Sequence, residues 1–158
     1  MAGPQDQSLT GNYEWDDAVT TVQKDVVKEG YAVTRDPSSG KLLLTWNGTP
    51  AAGYGAGFVG LVSSPPESGV QTQAVHTWGI RKAYADDSAK STLLIGDPVK
   101  VTDLTLGSGG VDWADSLGRL ELWVGGTDYA DALVGYVTVA PDTTTGLMYV
   151  RLGGGGGA

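Results

Sequence analysis

The sequence predicts an all-β protein with little helix, built from a small β-barrel-like or β-sandwich-like module that occurs twice. Three observations support this class: an excess of glycine, short apolar runs separated by turn signals, and an internal repeat. The chain has 158 residues, of which 25 are glycine and 41% are apolar. Glycine averages about 7% in proteins, and an interior glycine costs about 0.5–1 kcal/mol relative to alanine, so long helices are disfavoured.

The repeat is clearest around two tryptophan-bearing segments. Residues 118–127 run from a glycine and a cation through an apolar strand to a Gly-Thr pair, and residues 133–139 add a second strand. Residues 40–49 have the same layout, followed by an apolar strand at 57–62. The segment 93–103 also matches 26–36 in its order of apolar residues, glycine and aspartate. Duplication of one small β-module explains these matches better than a solenoid, whose repeats are shorter and more numerous.

The elements follow from local patterns. Residues 1–12 are polar and have little to bury, and Tyr13 and Trp15 then begin a strand at period two. Residues 16–29 fit either a helical stripe or a strand, and their four valines and two threonines favour a strand. Alternating or apolar runs bounded by Gly, Pro, Asn and Ser predict further strands at 31–35, 41–46, 58–62, 70–78, 93–95, 99–102, 119–124, 133–139 and 147–152.

The expected domain organisation follows from these elements. It comprises an N-terminal arm at 1–15, a first module at 16–80, a polar connector at 81–92, a second module at 93–152 with an insertion at 104–117, and a flexible glycine tail at 153–158.

Composition excludes several classes of function. The net charge is −8, and the ten Lys and Arg residues do not cluster, so the basic stripe that nucleic acids require is missing. No apolar run approaches the ~20 residues that span a bilayer, and the start of the chain does not resemble a signal peptide. There is no cysteine for disulfides or thiolate metal sites. We expect a soluble protein made in the cytoplasm.

Catalytic chemistry finds little support in the sequence. The single histidine, His76, lies on an alternating strand and has no nucleophile motif near it. The glycine runs at 53–57 and 107–110 lack the Gly-Lys-Ser/Thr of a phosphate loop, and residues 107–115 lack the spacing of a calcium loop. Acidic pairs occur in loops, where aspartate normally caps turns: Asp16/Asp17, Asp86/Asp87, Asp112/Asp115 and Asp128/Asp131. We therefore expect no catalytic, cofactor or metal site and no enzymatic activity.

The aromatic residues are more informative. Trp46 and Trp123 occupy corresponding strands and are expected in the cores of the two modules. Other aromatics lie in the arm or in loops, where a large amphipathic side chain either anchors a partner or packs locally. The candidate partner contacts are Tyr13, Trp15, Trp113 and Tyr129.

The run from Asp36 to Thr49, continuing to Gly60-Leu61-Val62, resembles the lambda-type head decoration proteins of tailed bacteriophages. Residues 96–99 with 134–137 also look like a related family of small capsid decoration proteins, in which a Gly-Asp-x-Val strand precedes a Val-Gly-x-aliphatic strand. The resemblance implies a non-enzymatic protein that binds the outer surface of an assembled capsid, commonly as a trimer, and bridges major capsid protein subunits. It also implies that the N-terminal arm contributes to capsid binding.

Two other functions stay open at this point. A carbohydrate-binding or receptor-binding β-module of a virion fibre or adhesin would use Trp and Tyr as a planar sugar platform. A small hydrolase or metal-dependent enzyme would need titratable groups that converge in a pocket.

Overall fold

A computed structural model describes residues 10–16, 24–25, 27–36, 39–43, 58–67, 69–102, 118–128, 130 and 133–153. The regular structure of this part of the chain is nearly all β, and its strands form two five-stranded antiparallel sheets. The expected all-β class with two similar modules is confirmed.

The first sheet contains the strands of the first module in the order β1-β5-β4-β2-β3. Their bounds are β1 Thr10–Glu14, β2 Ala32–Arg35, β3 Leu42–Leu43, β4 Phe58–Val62 and β5 Thr72–His76. The second sheet has the order β6-β10-β9-β7-β8. Its strands are β6 Gly79–Tyr84, β7 Pro98–Val101, β8 Leu120–Leu122, β9 Gly135–Val139 and β10 Leu147–Leu152. Each strand of the first sheet therefore has a counterpart five strands later in the same place.

Each sheet curls so that its two edge strands, which are the first and third strands of the module along the chain, come into contact. Trp15, just after β1, forms a parallel bridge with Leu42 of β3, and Ala85, just after β6, forms the same bridge with Leu120 of β8. These bridges make Trp15 the counterpart of Ala85 and Leu42 the counterpart of Leu120. Bridging the first and third strands turns each five-stranded sheet towards a small barrel.

The two modules also share a glycine turn just before their second strand. Gly30 donates its N–H to Val62 at 2.8 Å, and Gly96 donates to Val137 at the same 2.8 Å. The two glycines have φ angles of 94° and 93°, a left-handed conformation that side-chain-bearing residues rarely adopt. Gly96 is therefore the structural counterpart of Gly30, so the spans 93–103 and 26–36 correspond with an offset of one residue at the glycine.

The repeat reaches further towards the N-terminus than the sequence suggested. Residues 10–14, expected in an arm, form β1 and pair with β5 along their whole length. Residues 79–84, expected at the end of the first module and in a polar connector, form β6 and pair with β10. The strand at 93–95 is wrong, because residues 95 and 96 form a turn. The strand across 16–29 is wrong where it can be seen, because Lys24 and Asp25 are helical.

Buried side chains of the described residues form two clusters. The first belongs to the first module and contains Trp15, Val27, Tyr31, Val33, Leu42, Leu43, Val62 and Val75. The second contains residues of the second module, among them Ala85, Leu120, Val137, Met148, Val150 and Leu152. Ala32 and Leu61 of the first module also belong to the second cluster.

Strand periodicity explains this sharing of the core. Neighbouring residues of a strand point to opposite faces, so Val33 and Val62 face the core of the first module while Ala32 and Leu61 face away from it. The outward face of the first sheet therefore lies on the core of the second module. Phe58 packs on the second cluster beside them.

Close backbone approach holds the two modules together. The Ala32 N–H donates to the Gly118 carbonyl at 2.7 Å. A Cβ at Gly118 would lie 2.7 Å from the Tyr31 Cβ, so the contact needs glycine there. The Tyr31 and Tyr84 rings meet edge to face with centroids 5.5 Å apart, a favourable geometry for aromatic pairs. The modules thus form a continuous packed structure at this joint.

Candidate partner-binding surface

The outward face of the second sheet carries an open apolar cleft. The cleft has a volume of about 1180 Å³, and the side chains that shape it include Trp78, Ile80, Ile95, Tyr136 and Arg151. We call this surface the second-module face. It is the counterpart of the first-module surface, formed by Ala32 and Leu61, that is buried against the second module.

The register of three adjacent strands positions the centre of this face. Arg151 of β10 lies opposite Ile80 of β6 on one side and opposite Tyr136 of β9 on the other. Two residues earlier on β10, Tyr149 lies opposite Val139 of β9 and opposite Lys82 of β6. Directly opposed residues have Cβ atoms about 4.5–5.5 Å apart, so these side chains form two contiguous rows.

A β-bulge supplies an extra apolar side chain to the second row. The register of β9 against β10 shifts between Tyr149 and Val150, so that Val139 pairs with Tyr149 while Val137 pairs with Val150. The Thr138 hydroxyl donates to the Tyr149 carbonyl at 3.1 Å and holds the bulged residue. Val137 is consequently in the core, whereas Val139 is 52% exposed.

A tight turn projects apolar residues beside the cleft. The Asp97 carboxylate accepts the Leu94 N–H at 2.8 Å, and the turn ends in the left-handed Gly96. This geometry leaves Leu94 67% and Ile95 69% exposed. Trp78 is 54% exposed at the other end, with its ring atom Cδ1 3.1 Å from where a Gly153 Cβ would stand.

The concentration of exposed apolar side chains is the main property of this face. Scattered apolar residues are normal on protein surfaces, but a contiguous patch marks an interaction site or a groove for a ligand. Trp78, Ile80, Leu94, Ile95, Val139 and Tyr149 are all more than 40% exposed. The arrangement is suited to burying a partner's apolar surface.

The sequence-predicted contact residues have a different location. Tyr13 in β1 is half-buried and packs against the first-module core, and Trp15 is 0% exposed. Trp15 is a core residue in this conformation and offers no side-chain surface to a partner, because the bridge to β3 draws it into the barrel. Trp113 and Tyr129 lie outside the described residues, as does Trp46. Trp123, expected in the core, is only half-buried and lies over Gly125.

A second, smaller cleft of about 320 Å³ lies where the modules meet. It is lined by His76 and Glu29 from the first module and by Arg81, Lys82 and Tyr149 from the second. Lys82 Nζ lies 4.0 Å from Glu29 Oε2, a half-exposed ion pair that contributes little stability. The cleft joins opposite charges across the two modules.

The described residues of the acidic pairs accept hydrogen bonds from hydroxyl groups or form ion pairs. Asp16 accepts the Ser39 hydroxyl at 2.7 Å, and Asp86 accepts the Ser88 hydroxyl at 2.7 Å. Lys90 Nζ lies 2.9 Å from Asp87 and lowers the pKa of that carboxyl through a hydrogen bond. Asp17, Asp112, Asp115 and Asp131 lie outside the described residues. Within the described ranges, no group of three or more His, Asp and Glu side chains is placed to hold a metal ion.

A partly buried ion cluster stabilises the loop after β8. Lys100 Nζ lies 2.6 Å from Asp128 and 3.4 Å from Glu121, and Asp128 also accepts the Val124 N–H at 2.7 Å. Burial alone would lower the pKa of Lys100, but the two carboxylates outweigh burial and raise it. Burial likewise opposes the ionised form of Asp128, while Lys100 and the Val124 N–H together lower the pKa of Asp128. This cluster is structural and fixes the loop that leads towards the second-module face.

The residues of the second-module face were not singled out by sequence. Their signal was present in β10, where Leu147, Tyr149 and Arg151 alternate with the buried Met148, Val150 and Leu152. An aromatic residue on the outward side of an alternating strand is the pattern that indicates a covered or partner-binding face. No protein-family model, curated protein or solved structure matches this chain. In the part of the chain that can be described, no helix has the length and apolar character needed to cross a membrane.

Proposed function

We propose that this protein is a viral structural protein that binds the outer surface of an assembled phage capsid and stabilises it, as decoration or cement proteins do. The second-module face is the docking surface in this proposal. The observation that carries it is the contiguous exposed apolar patch on a compact β-module, beside acidic groups that act as caps and structural ion pairs. The resemblance of residues 36–49 to lambda-type decoration proteins supports the same function.

The proposed partner is the major capsid protein, and the protein's location is the outer surface of the virion after synthesis in the host cytoplasm. The resemblance implies a homotrimer, which light scattering coupled to size exclusion measures directly. A docking face rich in Trp, Tyr and Ile is typical of the fully buried centre of protein interfaces. The net charge of −8 keeps the remaining surface soluble on a particle exposed to solvent.

The test is to mix the purified protein with expanded, undecorated heads of tailed phages and to image them by electron cryomicroscopy. The wild-type protein is expected to add regularly spaced density to the outer surface of at least one head. The double variant Trp78→Ser with Ile80→Ser is expected to abolish that density. Leu122→Ser is the matched control, because Leu122 is 44% exposed on β8, outside the second-module face. Heads that stay undecorated with the wild-type protein would overturn the proposal.

A carbohydrate-binding function is the second candidate, because Trp78 and Tyr136 both face the open cleft. Aromatic faces stack on sugar rings, and the half-exposed Trp78 is available for such stacking. A glycan array separates the candidates: affinity for a sugar that Trp78→Ala removes supports this function, and an array with no binding excludes it.

A further inference from the structure

Arg151 occupies the centre of the second-module face in an apolar setting. Its cross-strand neighbours are Ile80 and Tyr136, and it is the one charged side chain among the residues that line the cleft. Among the described residues, no carboxylate forms an ion pair with Arg151. The nearby turn carboxylate of Asp97 is directed to the Leu94 N–H at 2.8 Å. The face therefore presents an unneutralised guanidinium within an apolar surround.

The chemistry that complements this arrangement is a carboxylate flanked by apolar side chains. A guanidinium is planar and offers paired N–H donors that match a carboxylate, and such charge-assisted pairs are stronger than neutral hydrogen bonds. Covering the apolar surround removes water and strengthens the pairing, whereas covering Arg151 without an acceptor would leave a buried unpaired charge. The partner's acidic residue therefore determines specificity as well as affinity.

A second copy of this chain does not fit the face in the way the first module fits the second. In the intramolecular contact, the Ala32 N–H donates to the Gly118 carbonyl. The counterpart of Ala32 in the second module is Pro98, which has no N–H to donate. The Tyr31–Tyr84 ring contact cannot be repeated either. The counterpart of Tyr31 is Asp97, which follows Gly96 as Tyr31 follows Gly30.

The counterpart of Tyr84 is Glu14, which precedes Trp15 as Tyr84 precedes Ala85. A head-to-tail contact between copies would therefore oppose Asp97 and Glu14, two carboxylates, where the chain itself pairs two tyrosines. Like charges in direct opposition are destabilising. The two modules thus share a topology while the second-module face has lost the means to repeat the internal joint.

We propose that the second-module face binds a segment of a different protein that places an Asp or Glu carboxylate on Arg151 and apolar side chains on Trp78, Ile80 and Ile95. This inference rests on the proposed docking function, and it specifies the chemistry of the docked segment. The partner is recognised by an acidic residue within an apolar sequence, such as an exposed loop or arm of a capsid subunit.

The experiment is a selection of random twelve-residue peptides displayed on particles against the immobilised full-length protein. Enriched peptides are then synthesised and their binding is measured by fluorescence polarisation. We expect the enriched sequences to share an Asp or Glu flanked by apolar or aromatic residues. Replacing that residue by Asn or Gln should weaken binding about tenfold, the usual scale for losing a charge-assisted pair.

Two protein variants complete the test. Arg151→Glu and the milder Arg151→Gln should each weaken peptide binding about tenfold or more, while Arg35→Glu, the same charge change at an exposed site on β2, leaves binding unchanged. Circular dichroism confirms that the variants are folded. Enriched peptides without a carboxylate, no enrichment at all, or equal binding by Arg151→Glu would each overturn the inference. A wild-type oligomer that Arg151→Glu dissociates would assign the face to a second copy instead. Head decoration that survives Arg151→Glu would overturn this inference while leaving the proposed function standing.

Discussion

Replacing Trp15 tests whether this residue is a core residue or a partner anchor. Trp15 is fully buried, belongs to the first-module core and bridges Leu42. Truncating a buried Trp to Ala costs about 3–5 kcal/mol, because apolar contacts are lost and a cavity remains. Total stabilities of single domains are about 5–15 kcal/mol. Trp15→Ala is therefore expected to remove a large part of the stability and to lower the urea midpoint in proportion.

Trp15→Phe gives the complementary measurement. The indole Nε1 of Trp15 is buried and has no hydrogen-bond partner among the described residues, and leaving such a group unsatisfied costs about 1–3 kcal/mol. Phenylalanine is smaller, but it removes that N–H, so the cavity and the relieved penalty offset one another. We expect Trp15→Phe to change the free energy of unfolding by less than about 1 kcal/mol.

The assay is urea unfolding followed by far-ultraviolet circular dichroism, alongside decoration of capsids by each variant. Circular dichroism is chosen because the substitution itself changes the tryptophan fluorescence. If Trp15→Ala kept the wild-type midpoint while abolishing capsid binding, Trp15 would be a contact residue and the reasoning from burial would be refuted. If Trp15→Phe were as destabilising as Trp15→Ala, the account of the unpaired N–H would be wrong.

Three further predictions concern the fold. Gly60→Ala and Gly135→Ala should each cost about 3 kcal/mol in urea unfolding, because a Cβ would overlap the carbonyl of the neighbouring strand. Gly40→Ala, with a φ of 72° and open space, should cost only about 1–2 kcal/mol, and a reversed order would contradict the close backbone approach at Gly60 and Gly135. Lys100→Met should lower the free energy of unfolding by about 2 kcal/mol, because two carboxylates lose their cation. An unchanged thermal midpoint would contradict a stabilising role for this ion cluster. The N–H groups of two threonines lower the pKa of Asp142. The stability that ionised Asp142 contributes should therefore be fully present above pH 3.8, the ordinary pKa, and should be lost as pH falls through the lowered pKa of the folded state. Acid unfolding of Asp142→Asn should show a weaker dependence on pH over this range.

Strand content and duplication could be predicted from sequence because both depend on local signals. The run 58–62 and the run 147–152 match their strands residue for residue, since turn residues bound each of them. Turn glycines also located the repeat. Gly30 and Gly96 correspond because both take the same left-handed turn conformation, which only glycine adopts readily.

For the first strands of the modules, the sequence predicted only a strand beginning at Tyr13, and it missed residues 10–12 and all of β6. Residues 10–14 and 79–84 share no apolar pattern, and polar side chains dominate the first of them. β1 and β6 occupy equivalent positions because their backbones pair with β5 and β10. Backbone pairing does not depend on particular side chains, so no sequence pattern indicated it. The same limit explains Trp15, whose neighbours Glu14 and Asp16 suggested an exposed aromatic. A long-range bridge to Leu42 buries it.

The second-module face escaped sequence reasoning because its residues come from distant segments. Ile95 lies in a turn, Tyr136 and Arg151 lie on different strands, and Trp78 lies in the link between the sheets. None of them has an unusual local context. The register of β9 and β10 brings Tyr136 and Arg151 together, and the fold places Trp78 and Ile95 along the same cleft.

The sharing of Ala32 and Leu61 between modules has a consequence for how the chain reaches its native state on the ribosome. The first module has its own Trp15-centred core, so it has the means to close before the second is synthesised. The second module carries Ala85 where the first carries Trp15, and its core includes side chains supplied by the earlier module. We therefore expect the N-terminal half to fold first and to supply Ala32 and Leu61 to the core of the C-terminal half as it emerges. Synthesis from N- to C-terminus delivers the two halves in the order this dependence requires.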